Sequence, residues 1–196
     1  IVVETDRPGF SRGRNLKKLG LLAQDTSELF YTDVRVPVSN LLGKEGQGMG
    51  IAVHNLAEER LSIAVHAIGM CKGILDTTIA YTKDRTVFGK PVADFQNTRF
   101  KIAEMVAQTQ AMQVFVDRCV ELAVDKKLDI ETAAMAKMVV GELQWRIADE
   151  CLQFYGGAGY MMEYPIAHYF IDSRIRKIAG GSSEVMREII SRKIFA

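Results

Sequence analysis

The residue of this sequence with the clearest capacity for chemistry is Glu59. It lies on a line of small or polar residues, Ala52, Asn55, Glu59, Ser62, His66, Gly69 and Gly73, whose spacing by threes and fours puts them on one face of a helix. A carboxylate on such a roomy face is placed to act as a general base. Glycine inside a helix costs about 1 kcal/mol relative to alanine, so something is expected to approach the backbone closely at Gly69 and Gly73. The same spacing fits plain helix packing at the glycines beside a solvated Glu59, and the residues alone leave both explanations open. Glu58 falls on a different line, with Ile51, His54, Leu61 and Val65.

Other candidates are weaker. His54, His66 and His168 show no H-x-x-x-H or H-E-x-x-H arrangement, so no metal site is expected. The run Gly156-Gly157-Ala158-Gly159-Tyr160 follows a helical pattern instead of a strand, so it lacks the βαβ frame of a dinucleotide fingerprint and reads as a helix terminus in left-handed backbone. Ser182 and Ser183 read as helix caps, since no histidine is placed to activate either one.

Residues 1–45 carry the strand and turn signals that precede these helices. Ile1–Thr5 and Leu29–Val36 read as strands, with Pro8-Gly9 as a turn, Leu16–Leu22 as a short apolar stretch and Pro37 as a stop. So few strands cannot close a sheet, and further strands from preceding chain are expected beside them. From Gly46 the period changes to 3.6. A first helix is expected over 48–83, with a buried stripe of Met49, Val53, Leu56, Ile63, Ala67, Met70 and Ile74 interrupted by Arg60. A second is expected over 94–126 with Phe100, Ala103, Val106, Ala107, Gln110, Val114, Asp117 and Leu122 near one face. A third is expected over 129–155 behind an Asp129 cap. A shorter helix should follow Pro165 to about Ile178, and a last one should span Glu184–Ile194. The fold class is mainly α: an antiparallel, up-down four-helix bundle over 46–196, preceded at 1–45 by the last strands of a β domain.

Composition agrees with a globular chain: 196 residues, 48% hydrophobic and 25% charged. Lys and Arg number 25 against 24 Asp and Glu, so no broad basic field points to nucleic acid or to an anionic membrane. No window approaches the roughly 20 uninterrupted apolar residues of a membrane span. Cys71, Cys119 and Cys151 are odd in number and lie in helical patterns without C-x-x-C pairs, which favours a reducing compartment. The opening residues have neither an initiator Met nor a signal-peptide pattern, and the chain reads as the later part of a longer protein.

Four strings, in order, carry a resemblance: Phe30-Tyr31-Thr32-Asp33-Val34-Arg35-Val36-Pro37, Asp84-Arg85-Thr86-Val87-Phe88-Gly89-Lys90-Pro91, Gln153-Phe154-Tyr155-Gly156-Gly157-Ala158-Gly159-Tyr160 and Gly181-Ser182-Ser183-Glu184-Val185-Met186-Arg187. Together they resemble the acyl-CoA dehydrogenase family over essentially the whole chain. The resemblance implies a flavoprotein that uses FAD to introduce an α,β double bond into an acyl-CoA in fatty-acid or branched-chain oxidation. It further implies electron-transferring flavoprotein as partner and a homodimer or homotetramer built on the bundles. The setting would be the cytoplasm in a bacterium or the mitochondrial matrix in a eukaryote. The near alternatives are an acyl-CoA oxidase, or a non-catalytic oligomerisation module if the fragment stands alone. By itself the fragment is expected to be inactive, because the isoalloxazine loops belong to the absent part.

In most members of that family the base is a glutamate at the position occupied here by Gly180. The long-chain and isovaleryl branches place it on the first bundle helix, and Leu56-Ala57-Glu58-Glu59-Arg60-Leu61 resembles theirs, which makes Glu59 the expected base. The backbone N–H of Gly180 is the expected donor to the thioester oxygen. The resemblance also implies FAD contacts at Arg85, Val87, Phe88, Gln96, Gln153, Gly156, Gly157, Ser182 and Glu184, and acyl-CoA contacts at Arg60, Gly181 and Arg192. Two positions depart from the pattern: Ala57 stands where some members have a CoA-binding aspartate, and His168 where the family has Lys or Arg.

Overall fold

The computed structural model describes residues 1–196 apart from the side chain of His54. The chain divides into two compact units, Ile1–Asn55 and Leu56–Ala196.

In the first unit β1 (Phe10–Asn15) pairs antiparallel with β2 (Ser27–Tyr31), Phe10 opposite Tyr31 and Arg12 opposite Leu29, with an irregularity between Arg12 and Asn15. Gly9 enters this ribbon at φ +87, where a Cβ would lie 2.1 Å from the Thr32 carbonyl oxygen, so no other residue fits. Ile1–Thr5 is not a strand, and β2 stops at Tyr31 instead of running to Val36. The expected alternation missed β1, whose Phe-Ser-Arg-Gly-Arg-Asn sequence lacks β-branched residues and pairs through its backbone. Leu29, Phe30 and Tyr31 are exposed on the ribbon. Helix α1 (Gly48–His54) closes the unit. The single helix expected over 48–83 is therefore two, parted at Asn55, after an opening stretch weakened by Gly46, Gly48 and Gly50.

The second unit is the helical bundle: α2 (Leu56–Asp84), a small hairpin of β3 (Thr86–Val87) and β4 (Lys90–Pro91), α3 (Gln96–Val124), α4 (Ile130–Tyr155), α5 (Pro165–Ser173) and α6 (Ser183–Ile194). Helix α4 is central, packing against α2, α3, α5 and α6. Asp129 caps it by accepting from the Thr132 N–H at 2.7 Å, and Gly156 ends it at φ +57, both as the sequence indicates. Pro165 opens α5, and Ser182 caps α6 by accepting from Val185 N–H. The segment expected to be helical through Ile178 becomes a 3-10 turn over Arg174–Lys177, whose Arg176 carbonyl lies 3.1 Å from where Gly141 would carry a Cβ.

Two apolar clusters fill the bundle. One joins Cys71, Ile74 and Leu75 to Met105, Ile147 and Cys151, and the other joins Leu61, Ala64 and Ile68 to Val116, Cys119 and Val140. The buried stripe of α2 thus differs from the expected one, with Ala67 and Ile74 common to both. On α3 the expected face is the outer one: Phe100 is 64% and Val114 61% exposed, while Met105, Thr109, Val116 and Cys119 are buried. Both lines have helical spacing and apolar character, and packing selected the other. Residues 48–84 are long and apolar enough by length and composition to cross a membrane. From Leu56 onward their apolar face is instead committed to α3 and α4.

Candidate functional site

The residues singled out above gather at two places in the bundle, one at each end of α2. At its N-terminal end stands the turn before α6. Gly180 has φ +69 and Gly181 φ +101, consecutive left-handed positions that only glycine adopts without strain. This turn rests on the first turns of α2. A Cβ at Gly180 would lie 2.5 Å from Ile63 Cδ1, and Arg60 Nε donates to the Gly180 carbonyl at 3.4 Å. Glu59, immediately before Arg60, is exposed. The small-residue line continues away from it: Gly69 has nothing within 4 Å and Gly73 meets Tyr169 Oη at 3.9 Å. Tyr169 of α5 thus reaches this face at Gly73 and Arg176 meets His66 on it at 2.8 Å, and the strip stays open at Gly69.

Arg60, implied as an acyl-CoA contact, is 4% exposed and turned to the Gly180 carbonyl. Burial lowers its pKa, and the neighbouring Glu59 charge opposes that shift. Lys137 of α4, which sequence reasoning missed, is fully buried and donates to the Gly181 carbonyl at 2.5 Å. Its pKa is also lowered, first by burial and then by the Arg60 charge. The clue available in the sequence was a lysine inside the apolar run Ala133–Val140. Arg192 is exposed and held by Glu188 at 2.8 Å, a turn earlier on α6. Glu184 lies in the first turn of α6 with a lowered pKa, its own backbone N–H and the Ser182 side chain favouring the carboxylate.

At the C-terminal end of α2 lies a cavity of about 610 Å³ whose lining includes Arg85, Val87, Gln153, Gly156 and Gly157. Five residues drawn from two separate strings thus share one cavity. The wall beside them is a tyrosine group in which Tyr81 and Tyr155 stack at 3.8 Å and Tyr164 meets both edge-on. Lys101 and Glu150 pair at 2.5 Å on the rim. The Arg85 guanidinium has no carboxylate partner among the described residues, which suits it to an anionic ligand. Phe88 and Gly89 form the two-residue tip of the β3–β4 hairpin, both at positive φ. Phe88 is 96% exposed at that tip. Gln96 opens α3 beside Asn97 and Thr98, which line the cavity. His168 is exposed and its Nε2 lies 2.8 Å from the Met162 carbonyl.

Residues 46–195 match the C-terminal domain of acyl-CoA dehydrogenases, and the chain belongs to that family. It is 45% identical over 193 residues to the mitochondrial long-chain specific acyl-CoA dehydrogenase of Mus musculus, covering 98% of this chain and 45% of that protein. A crystal structure of acyl-CoA dehydrogenase from Geobacillus kaustophilus superposes with a TM-score of 0.95 at 43% identity, covering 98% of this chain and 50% of that one. A chain solved with the electron transferring flavoprotein of Acidaminococcus fermentans as its subject matches with a TM-score of 0.93 at 34% identity, again covering 98% and 50%. The chain therefore spans about half the length of the relatives it matches.

Proposed function

We propose that this chain is the C-terminal half of a flavin-dependent acyl-CoA dehydrogenase in which Glu59 removes the α-proton of the thioester. The observation that carries this reading is the crowding at position 180. A side chain there would have to displace Ile63 and accept a left-handed backbone, whereas Glu59 stands exposed one helical turn before Ile63. The base thus comes from α2, and the Gly180 turn contributes backbone donors. An α-proton is too weakly acidic for a bare carboxylate, so stabilising charge on the thioester oxygen is the larger requirement. Closure of the strip by substrate excludes water from around Glu59 and the thioester.

The cavity at the far end of α2 fits FAD: an unpaired arginine for the pyrophosphate, two glycines for close backbone approach and an exposed aromatic at the hairpin tip. FAD, when bound, accepts the hydride that leaves the β-carbon. From Glu59 to Asp84 the helix rises about 38 Å at 1.5 Å per residue, farther than an extended FAD reaches. Arg85, Gln153 and Gly157 therefore serve the cofactor of a neighbouring copy, while Ser182 and Glu184 serve their own. This makes a homodimer the smallest complete unit. The exposed stripe of Phe100, Val106, Val114 and Val124 on α3 supports association into a homotetramer. Electron-transferring flavoprotein is the proposed electron acceptor, and a chain similar to this one was solved in work on the electron transferring flavoprotein of Acidaminococcus fermentans. In a eukaryotic host the protein would share the mitochondrial setting named for the mouse relative.

Anaerobic titration of the full-length, FAD-loaded protein with a panel of straight and branched acyl-CoAs tests this reading. Bleaching of the flavin with formation of the 2-enoyl product is expected. A flavin that no acyl-CoA reduces would contradict it, and rapid reoxidation by oxygen with peroxide release would reassign the protein as an oxidase.

A further inference from the structure

The Gly180–Ser182 turn carries a feature that the position of the base does not account for. Two buried cations, Arg60 and Lys137, converge on consecutive carbonyl oxygens, those of Gly180 and Gly181. Neither cation has a carboxylate within ion-pair distance among the described residues. Burying two like charges side by side is costly when nothing negative compensates them, and here the compensation is a pair of carbonyl dipoles.

Every peptide bond here is trans, so each N–H points opposite to the C=O of its own plane. Drawing the Gly181 carbonyl inward turns the N–H group of Ser182 outward. The Gly180 and Ser182 amides find no acceptor among the described residues, while the Gly181 amide closes the turn that spans Gly180. Free N–H groups in a left-handed turn at the start of a helix favour an anion, and this turn lies against Ile63 of α2. Glu142 and Glu184 are the acids whose charges are felt by Lys137, opposing the effects of burial and of Arg60. Arg187 pairs with both, at 2.6 Å to Glu142 and 3.5 Å to Glu184.

We propose that Lys137, together with Arg60, is a positioning residue for the reaction: the two cations clamp the turn at its Gly180 and Gly181 carbonyls and so fix the backbone whose Gly180 amide meets the oxygen that becomes anionic on the thioester. The proposal rests on the acyl-CoA dehydrogenation reading above and adds to it the residues that set the donors. The charge also acts directly, since two cations behind the amides make the site more positive where negative charge develops.

The test uses the full-length, FAD-loaded enzyme as wild type, Lys137→Met, Lys137→Gln and Lys137→Arg. The probe is a 3-thia-acyl-CoA, whose α-C–H ionises when bound without being oxidised. The pH of half-ionisation of the bound probe is read by its absorbance against flavin, alongside kcat and KM. In both neutral variants that pH is expected to rise by about one unit or more, and kcat to fall roughly ten- to hundredfold with little change in KM. Lys137→Arg should recover part of both effects. Neutral variants that ionise the probe and turn over as wild type overturn the proposal. So do neutral variants that all fail to fold or to hold FAD, because the lysine would then be a structural clamp alone. Failure of the underlying reading shows separately, as a wild-type protein whose flavin no acyl-CoA reduces.

Discussion

Ile63 fills the space that a side chain at position 180 would need, its Cδ1 lying 2.5 Å from the site of a Cβ. Gly180→Ala adds this clash to a φ of +69 and is expected to cost roughly 1–3 kcal/mol of stability, measured by chemical unfolding. Measured against Ile63→Ala, the double variant Gly180→Ala/Ile63→Ala should show a smaller loss of stability, because the steric part is gone and the backbone strain is left. An alanine at 180 without effect would mean that the turn is not held against α2.

Arg85 faces the cavity that also contains Gln153, Gly156 and Gly157. Its replacement by alanine is expected to weaken FAD retention roughly ten- to hundredfold, the scale of a charged hydrogen bond of about 1.5–3 kcal/mol. Lysine should restore little of this, because it offers a point charge in place of a planar fork. Flavin fluorescence released on dilution measures the effect.

Burial pushes the Cys71 thiol up to about 12 and the Cys151 thiol up to about 11, whereas an unfolded thiol ionises near about 8.5. Above that unfolded value the denatured chain has released protons that the native chain still binds, so stability falls as pH rises. The thiol contribution is fully present below the unfolded value and is lost progressively up to about pH 12 for Cys71. Unfolding curves between neutral and alkaline pH should show a shallower decline for Cys71→Ala than for wild type, even if its absolute stability is lower. An unchanged slope would contradict the assigned burial.

Asp129 accepts the Thr132 N–H at 2.7 Å at the start of α4, and Lys193 lies 3.4 Å from its carboxylate. Hydrogen bonding to the Thr132 backbone is the first cause of its lowered pKa. Asp129→Ala should destabilise the bundle by about 1 kcal/mol, and Asp129→Ser should restore most of it, as read by thermal unfolding.

The bundle was legible because its signals are local: Asp129, Pro165 and Ser182 mark helix starts and Gly156 marks an end, each by its own backbone chemistry. The faces were less legible. On α3 the apolar line through Phe100, Val106 and Val114 is as regular as the one through Met105, Thr109 and Val116, and periodicity gives a phase without naming the partner. Arg60 looked like an interruption of a stripe because sequence patterns treat a buried cation as an error. Its acceptor, the Gly180 carbonyl, lies 120 residues later, beyond any local pattern. Lys137 was hidden for the same reason. The Glu59 strip was visible as spacing, and its openness at Gly69 became clear once α3 and α4 were seen to pack elsewhere.

The most direct test of Glu59 as the base is exchange of the substrate's α-hydrogen with solvent deuterium, measured together with stopped-flow flavin reduction in full-length wild type, Glu59→Asp and Glu59→Gln. Removing a general base is expected to slow both processes by roughly a hundred- to ten-thousandfold in Glu59→Gln. Glu59→Asp should retain intermediate rates, and acyl-CoA binding should be little affected in either variant. Exchange and reduction at wild-type rates in Glu59→Gln would assign the base to another residue.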